Sequence, residues 1–427
     1  MGYSHISTIP LIGSLAVEYF ELQNGLKIAI VNDPTTPIFS YQTWFTVGAA
    51  DEQPGKQGLA HLFEHMMFRK TKQRDMGMWE KEVNANGGTG INAYTSRDQT
   101  VYYFTFPNDK IDIAAHLESE RMVELVIESD MFETEKGAVL TERNRGLDNP
   151  GRYLWEELYK LVYTSHPYRY SIIGEEKSIK GFTVHEAQQF YQSYYSPNNA
   201  LVIVVGDVDI EAVLTSIDSH YSHIPSLPRI NRPFIDERAL SIERKLSLSH
   251  PKATQHMMAK AWITGNIVSE DYTVLWLIGK LLAGQKSALL QQKLVNSAKA
   301  RNVHADIFVG KDNGTFEFYA EVSDSEKFST IDDIVLESLL ELASGKISEE
   351  QLQIVKNGME KEYYSNITTP SMLARMLGEG YIYANDLRLQ ITLMDKIKKI
   401  SPEEIKSVTQ RYLVDAKSAS LYLAPET

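Results

Sequence analysis

The sequence predicts a protein of two similar domains, each built from both β-strands and α-helices. The chain has 427 residues, which is too long for one hydrophobic core, because domains usually contain roughly 100 to 200 residues. A polar, proline-rich stretch at 222–237 interrupts the chain near its middle, and the order of strands and helices before it recurs after it. We therefore expect an N-terminal domain at 1–225, a linker at 226–236 and a C-terminal domain at 237–427.

The N-terminal domain begins with segments that have the composition of β-strands. Residues 26–32 and 39–47 are rich in β-branched and aromatic side chains, which are enriched in strands. A strand pair is expected at 91–106, after a Gly-Gly break, and another strand at 200–205. Together these segments predict a sheet.

Helices are expected between these strands. Residues 59–68 are apolar at helical spacing. Longer helices are predicted at 111–127 and 133–146, and a further helix begins at Glu211.

The second half of the chain repeats this order. MMAKAWI at 257–263, YTVLWLIGKLLAG at 272–284 and FEFYAEV at 316–322 follow one another as strand, helix and strand. The corresponding segments of the first half are QTWFTV, LAHLFEHMMF and VYYFTF. The repeated order indicates two copies of one domain plan.

Composition excludes several classes of site. The net charge of −13 argues against a nucleic-acid partner, because nucleic-acid surfaces concentrate Lys and Arg. The chain has no cysteine, so it cannot form a disulfide, a thiolate metal site or a cysteine nucleophile. Any metal must therefore be held by histidine and carboxylate side chains.

The N-terminal segment and the lengths of the apolar runs give an expectation for the cellular location. No segment reaches the 18 or more apolar residues of a membrane span, and the N-terminus lacks the positively charged start of a signal peptide. We expect a soluble protein of the bacterial periplasm or cytoplasm, with no membrane span.

The segment HLFEH at 61–65 has the spacing of a metal site. On a helix, His61 and His65 project from one face about one turn apart, within reach of one ion. Glu64 directly precedes His65, so it is better placed to act on water as a general base than to bind the metal. The alternative is an amphipathic helix with surface histidines. The rest of this helix is apolar, however, and polar side chains would be costly there without a shared purpose.

A catalytic zinc ion needs a third protein ligand and an open position. In the predicted helix at 133–146, Glu135 and Glu142 are seven residues apart and therefore share one face. One of them could bind zinc while the other orients a ligand. The helix predicted at 274–282 in the second half carries no histidine or carboxylate, so only the N-terminal domain can hold the zinc ion, one per chain.

These residues resemble the pitrilysin, or inverted-zincin, family of zinc metallopeptidases, peptidase family M16, whose HxxEH order inverts the commoner HExxH. The segments NGLKI, GGTGINAYTSRDQTVYYF, HPYRYSIIG and YYSPNNALVIVVGDVD extend the resemblance over nearly the whole chain. It implies that Glu142 is the third zinc ligand and that Glu135 orients a zinc ligand without binding the metal itself. It also implies an α+β fold of two similar domains, each an antiparallel or mixed sheet with helices on one face, which together form half of a peptidase chamber.

The resemblance further assigns a substrate site. The segment Asn92, Ala93, Tyr94 and Thr95 is similar to the family's edge strand, to which an extended peptide pairs as an added strand. Tyr94 would then shape the pocket next to the cut. The alternative for Tyr94 is a half-buried aromatic side chain with no role in binding.

One departure from the family concerns partners. Members that act alone carry an Arg and a Tyr seven residues apart in the C-terminal half, and Val295 and Asn302 stand at these positions here. The chain resembles the HxxEH-bearing subunit of the short two-domain branch, such as mitochondrial processing peptidase. We expect a heterodimer with a homologous subunit that carries the Arg/Tyr pair. The alternative is a homodimer in which Arg301 compensates.

The expected activity is hydrolysis of extended peptides by a zinc-dependent endopeptidase or oligopeptidase, with Glu64 as the general base. The alternative is a non-catalytic structural or assembly subunit of a family heteromer. Such relatives usually lose a ligand or the base, whereas this sequence retains His61, Glu64, His65 and Glu142.

Overall fold

A computed structural model of the chain describes residues 2–228, 230, 232–233 and 235–426. Arg229, Asn231 and Phe234 of the predicted linker lie outside the described residues. The chain forms two compact units, each with its own sheet. The predicted α+β class with two sheets and packed helices is confirmed.

The first unit contains a seven-stranded sheet in the order β1-β2-β3-β7-β4-β6-β5. Its strands are β1 (Tyr3–Pro10), β2 (Ala16–Leu22), β3 (Lys27–Asn32), β4 (Ile38–Phe45), β5 (Thr89–Thr95), β6 (Thr100–Pro107) and β7 (Ala200–Gly206). β3 and β7 run parallel, and the other neighbours are antiparallel. The sequence did not predict the β1–β2 hairpin, because β1 is exposed over most of its length and lacks an apolar face.

The helices of the first half connect these strands. They are α1 (Leu59–Met66), α2 (Met78–Ala85), α3 (Ile111–Val123), α4 (Ser129–Leu147), α5 (Pro150–Val162), α6 (Glu176–Gly181), α7 (Val184–Tyr194) and α8 (Ile210–Tyr221). α1 packs on one face of the sheet, where Phe45, Tyr102 and Phe63 belong to one buried core.

The second unit contains a five-stranded sheet in the order β10-β11-β9-β12-β8. Its strands are β8 (Arg244–His250), β9 (His256–Thr264), β10 (Asn302–Phe308), β11 (Gly314–Val322) and β12 (Ala419–Pro425). This order matches β5-β6-β4-β7-β3 of the first unit, and the parallel pair recurs as β8 and β12. The repeat that the sequence predicted is therefore present in the topology.

The helices of the second half likewise connect strands along the chain. They are α9 (Tyr272–Ala283), α10 (Lys327–Ala343), α11 (Glu349–Ser365), α12 (Pro370–Ala384), α13 (Leu389–Lys399) and α14 (Pro402–Thr409). In the described part of the chain, no helix combines the length and the hydrophobicity that crossing a membrane requires.

Each unit includes one helix from the other half of the sequence. α5 packs on β8, β9 and β12 of the second unit, and α12 packs on β4 and β7 of the first. On the first sheet, the Gln42 amide donates a hydrogen bond to the Ser371 carbonyl at 2.9 Å, and Gly378 lies directly against the buried Trp44 ring. The first sheet therefore has helices on both faces, and the sequence did not predict this second helical layer. The boundary at 226–236 stays a prediction.

The contact between α12 and Trp44 leads to a stability prediction. A Cβ atom at Gly378 would lie 2.1 Å from the Trp44 ring, so Gly378→Ala should destabilise the first unit by about 1 to 3 kcal/mol through overpacking. The measurement is thermal unfolding of the purified variant.

Gly358→Ala is the matched control. Gly358 lies in α11, where a Cβ atom meets nothing within 4 Å, so this change should leave stability unchanged or raise it by up to about 1 kcal/mol. A Gly378→Ala variant as stable as the Gly358→Ala variant would contradict the close packing of Gly378 on the Trp44 ring.

Candidate metal centre

Helix α1 is fixed to the first unit by its N-terminus and by its apolar face. The Glu52 carboxylate accepts hydrogen bonds from the backbone N–H groups of Gly58 and Ala60, at 2.8 and 2.7 Å. Gly58 has a φ of 100°, and a Cβ atom there would lie 2.4 Å from the Ile173 carbonyl oxygen, so the close approach requires glycine. Phe63 is fully buried against an aromatic cluster that includes Tyr195. The opposite face of α1 presents His61, Glu64 and His65.

Helix α4 carries the two glutamates that the sequence singled out. It begins at Ser129, four residues before the predicted start. Phe132, Glu135 and Val139 are buried, and Glu142 continues the same stripe of the helix. Phe132 and Val139 anchor α4 in the core, so the carboxylates of Glu135 and Glu142 are held at fixed positions.

The structure brings three of the predicted residues together. Nε2 of His61 lies 3.7 Å from Oε1 of Glu142, and Nε2 of His65 lies 3.4 Å from Oε2 of Glu142. Within the described ranges, these three residues are the group of histidines and acidic residues whose ligand atoms, all within 4.8 Å of one another, could hold a metal ion. Two atoms at about 2.0 to 2.2 Å from one tetrahedral zinc ion lie roughly 3.3 to 3.6 Å apart. The arrangement therefore fits zinc.

The electrostatics of the site favour a cation. Burial opposes protonation of His65, but the carboxylates of Glu135, Glu64 and Glu142 outweigh it and raise the pKa of the imidazole. Negative charge that stabilises an imidazolium would also stabilise a metal ion held by the same side chains.

Glu135 lies behind His65 and is itself held by an arginine. Its Oε2 is 3.7 Å from Nδ1 of His65. Arg69 contacts both carboxylate oxygens, with Nε 2.8 Å from Oε1 and Nη2 donating to Oε2 at 3.0 Å. Burial opposes ionisation of Glu135, but the neighbouring His65 and Arg69 side chains outweigh it and lower the pKa of the carboxyl. The sequence reasoning missed Arg69, although its place four residues after His65 could have drawn attention to it.

Glu64 is oriented by the edge strand. The Thr95 hydroxyl donates a hydrogen bond to Oε2 of Glu64 at 2.7 Å. Burial raises the pKa of the Glu64 carboxyl, and the Thr95 hydrogen bond and the His65 charge only partly offset that effect. The sequence placed Thr95 in the substrate strand but did not predict its contact with Glu64.

Strand β5 is the outermost strand of the first sheet, next to β6. Ala93 belongs to the core beneath α1, and Thr95 points to the same side. Asn92 is exposed. Tyr94 lies on the other face, where its ring contacts Trp44 and carries the Arg375 guanidinium 5.3 Å above its centroid. The structure therefore does not bring the Tyr94 side chain to Glu64 and the histidines.

The corresponding elements of the second unit carry a different set of charges. Lys280 on α9 lies 3.6 Å from Asp306 on β10 and 3.5 Å from Glu362 on α11. The Lys280 ammonium group thus lies between two carboxylates in the second unit.

Val295 ends a π-helical turn at Gln291–Val295, and Asn302 begins β10.

Comparison with known proteins agrees with the fold. The family model described as insulinase (peptidase family M16) matches residues 27–176, and the model described as peptidase M16 inactive domain matches residues 181–359. The chain is 27% identical over 437 residues to zinc protease PqqE of Helicobacter pylori, covering 100% of this chain and 98% of that protein.

Two further likenesses extend the comparison. The chain is 24% identical over 417 residues to mitochondrial-processing peptidase subunit beta of Lentinula edodes, covering 93% of this chain and 88% of the relative. The crystal structure of a protease from Helicobacter pylori superposes with a TM-score of 0.90 at 26% identity, covering 96% of this chain and 99% of that chain. Both halves of the sequence match models of one family, and the chain belongs to peptidase family M16 as a two-domain member.

Proposed function

We propose that the chain is a zinc-dependent endopeptidase that hydrolyses extended peptides. The observation that carries this proposal is the convergence of His61, His65 and Glu142 beside the Glu64 carboxylate. Relatives named zinc protease support it. The alternative of a non-catalytic subunit is not favoured, because the base and all three candidate ligands are present together.

Each side chain has a role in this proposal. His61, His65 and Glu142 would hold one zinc ion, which when bound supplies Lewis-acid chemistry that polarises a carbonyl and acidifies water. Glu64 accepts a proton from the attacking water and delivers it to the leaving amine. Thr95 keeps the Glu64 carboxylate turned toward the site through its hydrogen bond.

The open edge of β5 supplies a place for the substrate. A peptide that pairs with the backbone of Asn92, Ala93, Tyr94 and Thr95 would extend the first sheet by one strand. Because Thr95 contacts Glu64, the paired peptide would pass next to the general base. Pairing through the backbone accepts many sequences, which suits a protease for extended peptides.

The ligand assignment makes a prediction about metal content. The wild-type chain should bind about one zinc ion, and His65→Ala should lose it. Glu142→Gln should lower zinc occupancy more than Glu135→Gln does, because Glu135 contacts His65 and is not itself a proposed ligand. Elemental analysis of the purified variants measures this.

Glu133→Gln is the control for the two α4 variants, since Glu133 lies on the same helix but is exposed and pairs with Lys136. A zinc-free wild type, or unchanged zinc in His65→Ala, would contradict the site. Equal losses in Glu142→Gln and Glu135→Gln would contradict the division of roles between them.

The base assignment makes a separate prediction about turnover. Glu64→Gln keeps the shape of the side chain but cannot accept a proton, so peptidase activity should fall by about 10² to 10⁴ while zinc content stays at the wild-type level. Cleavage of a quenched fluorescent peptide library, with zinc measured on the same samples, tests both parts. Substantial activity in Glu64→Gln would show that another group is the base.

A partner subunit forms part of the proposal. Val295 and Asn302 occupy the positions where single-acting members carry Arg and Tyr, so the chain lacks these donors for the developing oxyanion. Two relatives are named as mitochondrial-processing peptidase subunit beta, one of them as a probable one. We infer a heterodimer with a homologous chain that has the Arg/Tyr pair and lacks HxxEH.

This inference predicts a dependence of rate on the partner. Addition of such a homologue should raise the peptidase rate by about 10² to 10³, the usual effect of one oxyanion donor. Full activity of the isolated chain would refute the heterodimer. If Arg301→Ala then removed that activity, the homodimer in which Arg301 compensates would be supported instead.

A further inference from the structure

We propose that Arg69 is a positioning residue of the metal centre, which acts through Glu135 to fix the imidazole of His65. This inference rests on the proposed function, because it concerns the affinity of the same site for zinc. The HxxEH pattern does not include Arg69, and the observations that point to it are geometric.

The first observation is that Arg69 holds Glu135 through one hydrogen bond, donated by Nη2, and one ion-pair contact, made by Nε. The Nε and Nη2 atoms each face a different carboxylate oxygen, at 2.8 and 3.0 Å. A planar guanidinium that faces both oxygens limits the rotation of a carboxylate more than a lysine ammonium does. Arg69 therefore constrains the orientation of Glu135.

The second observation is the placement of Glu135 against His65. Oε2 of Glu135 faces Nδ1 of His65 at 3.7 Å, while Nε2 of the same ring faces Glu142 at 3.4 Å. A carboxylate beside Nδ1 favours the hydrogen on that nitrogen and leaves the Nε2 lone pair for a metal. Rotation of Glu135 would therefore disturb a zinc ligand directly.

The third observation is that the pair joins the two elements that supply the ligands. Arg69 lies in the turn after α1, where its N–H donates to the Met66 carbonyl at 3.0 Å, and Glu135 is buried in α4 with only 5% of its side chain exposed. α1 supplies His61 and His65, and α4 supplies Glu142. The Arg69–Glu135 contact therefore also holds the spacing between the ligands.

An exposed ion pair in the same region offers a contrast. Lys70, the next residue, lies 3.1 Å from Glu128, whose side chain is 57% exposed. Such a pair contributes little, because water screens it. Lys70→Gln removes the same charge from the same turn without touching Glu135, so it is the matched control for Arg69→Gln.

The test is a double-mutant cycle of zinc affinity, measured by competition with a chromophoric chelator on the full chain. Arg69→Gln should weaken zinc binding about 10-fold or more, within the range typical of groups that orient a metal ligand. Arg69→Lys should recover only part of that loss, and Lys70→Gln should bind zinc as the wild type does. Glu135→Gln combined with Arg69→Gln should bind no more weakly than Glu135→Gln alone.

The outcomes separate this inference from the proposed function. Wild-type zinc affinity in Arg69→Gln, or additive losses in the double variant, would overturn the positioning role while the zinc site stands. A wild-type chain that binds no zinc would overturn both. Thermal unfolding of the metal-free proteins accompanies each measurement. If Arg69→Gln fails to fold, Arg69→Lys decides, because wild-type affinity there contradicts the need for contacts from two nitrogens.

Discussion

The candidate site depends on one constraint, the division of an eight-residue helix into a buried face and a polar face. Leu62, Phe63 and Met66 of α1 are fully buried, and burial of each such side chain contributes roughly 1.5 to 3 kcal/mol. That energy holds the helix in one rotation about its axis. His61, Glu64 and His65 must then point away from the core, toward α4 and the end of β5.

Part of this arrangement could be predicted from the sequence because it depends on regular spacing. The HLFEH segment requires only helical geometry, and Glu135 and Glu142 share a face because seven residues make about two turns. The repeat of the two units also followed from the order of strand-like and helical segments. The HLFEH helix was predicted to end at residue 68, and it ends at Met66 in the structure. The predicted start of the β5–β6 pair lies two residues from the observed start, and the predicted end lies one residue from the observed end.

The parts that could not be predicted depend on contacts between distant segments. Neither the Arg69–Glu135 pair nor the hydrogen bond from Thr95 to Glu64 follows from a spacing in the sequence, because each joins elements about 30 or more residues apart. Tyr94 follows Ala93 on the pleated strand and so faces the side that α12 covers, and the sequence did not predict a helix there. In the second unit, Lys280 lies between Asp306 and Glu362. The chain itself thus supplies a cation to these two carboxylates, although the sheet of the second unit repeats the topology of the first.

The covering of the first sheet by α12 also bears on the order of events during synthesis. The last strand of that sheet, β7, ends at Gly206, and α12 begins at Pro370, roughly 160 residues later. At about 5 to 20 residues per second, the interval between their translation lasts roughly 8 to 30 s. During that time α12, which packs on Trp44 in the folded chain, has not yet been made. The unit that carries the metal residues is therefore completed late, after most of the second half of the chain has been made.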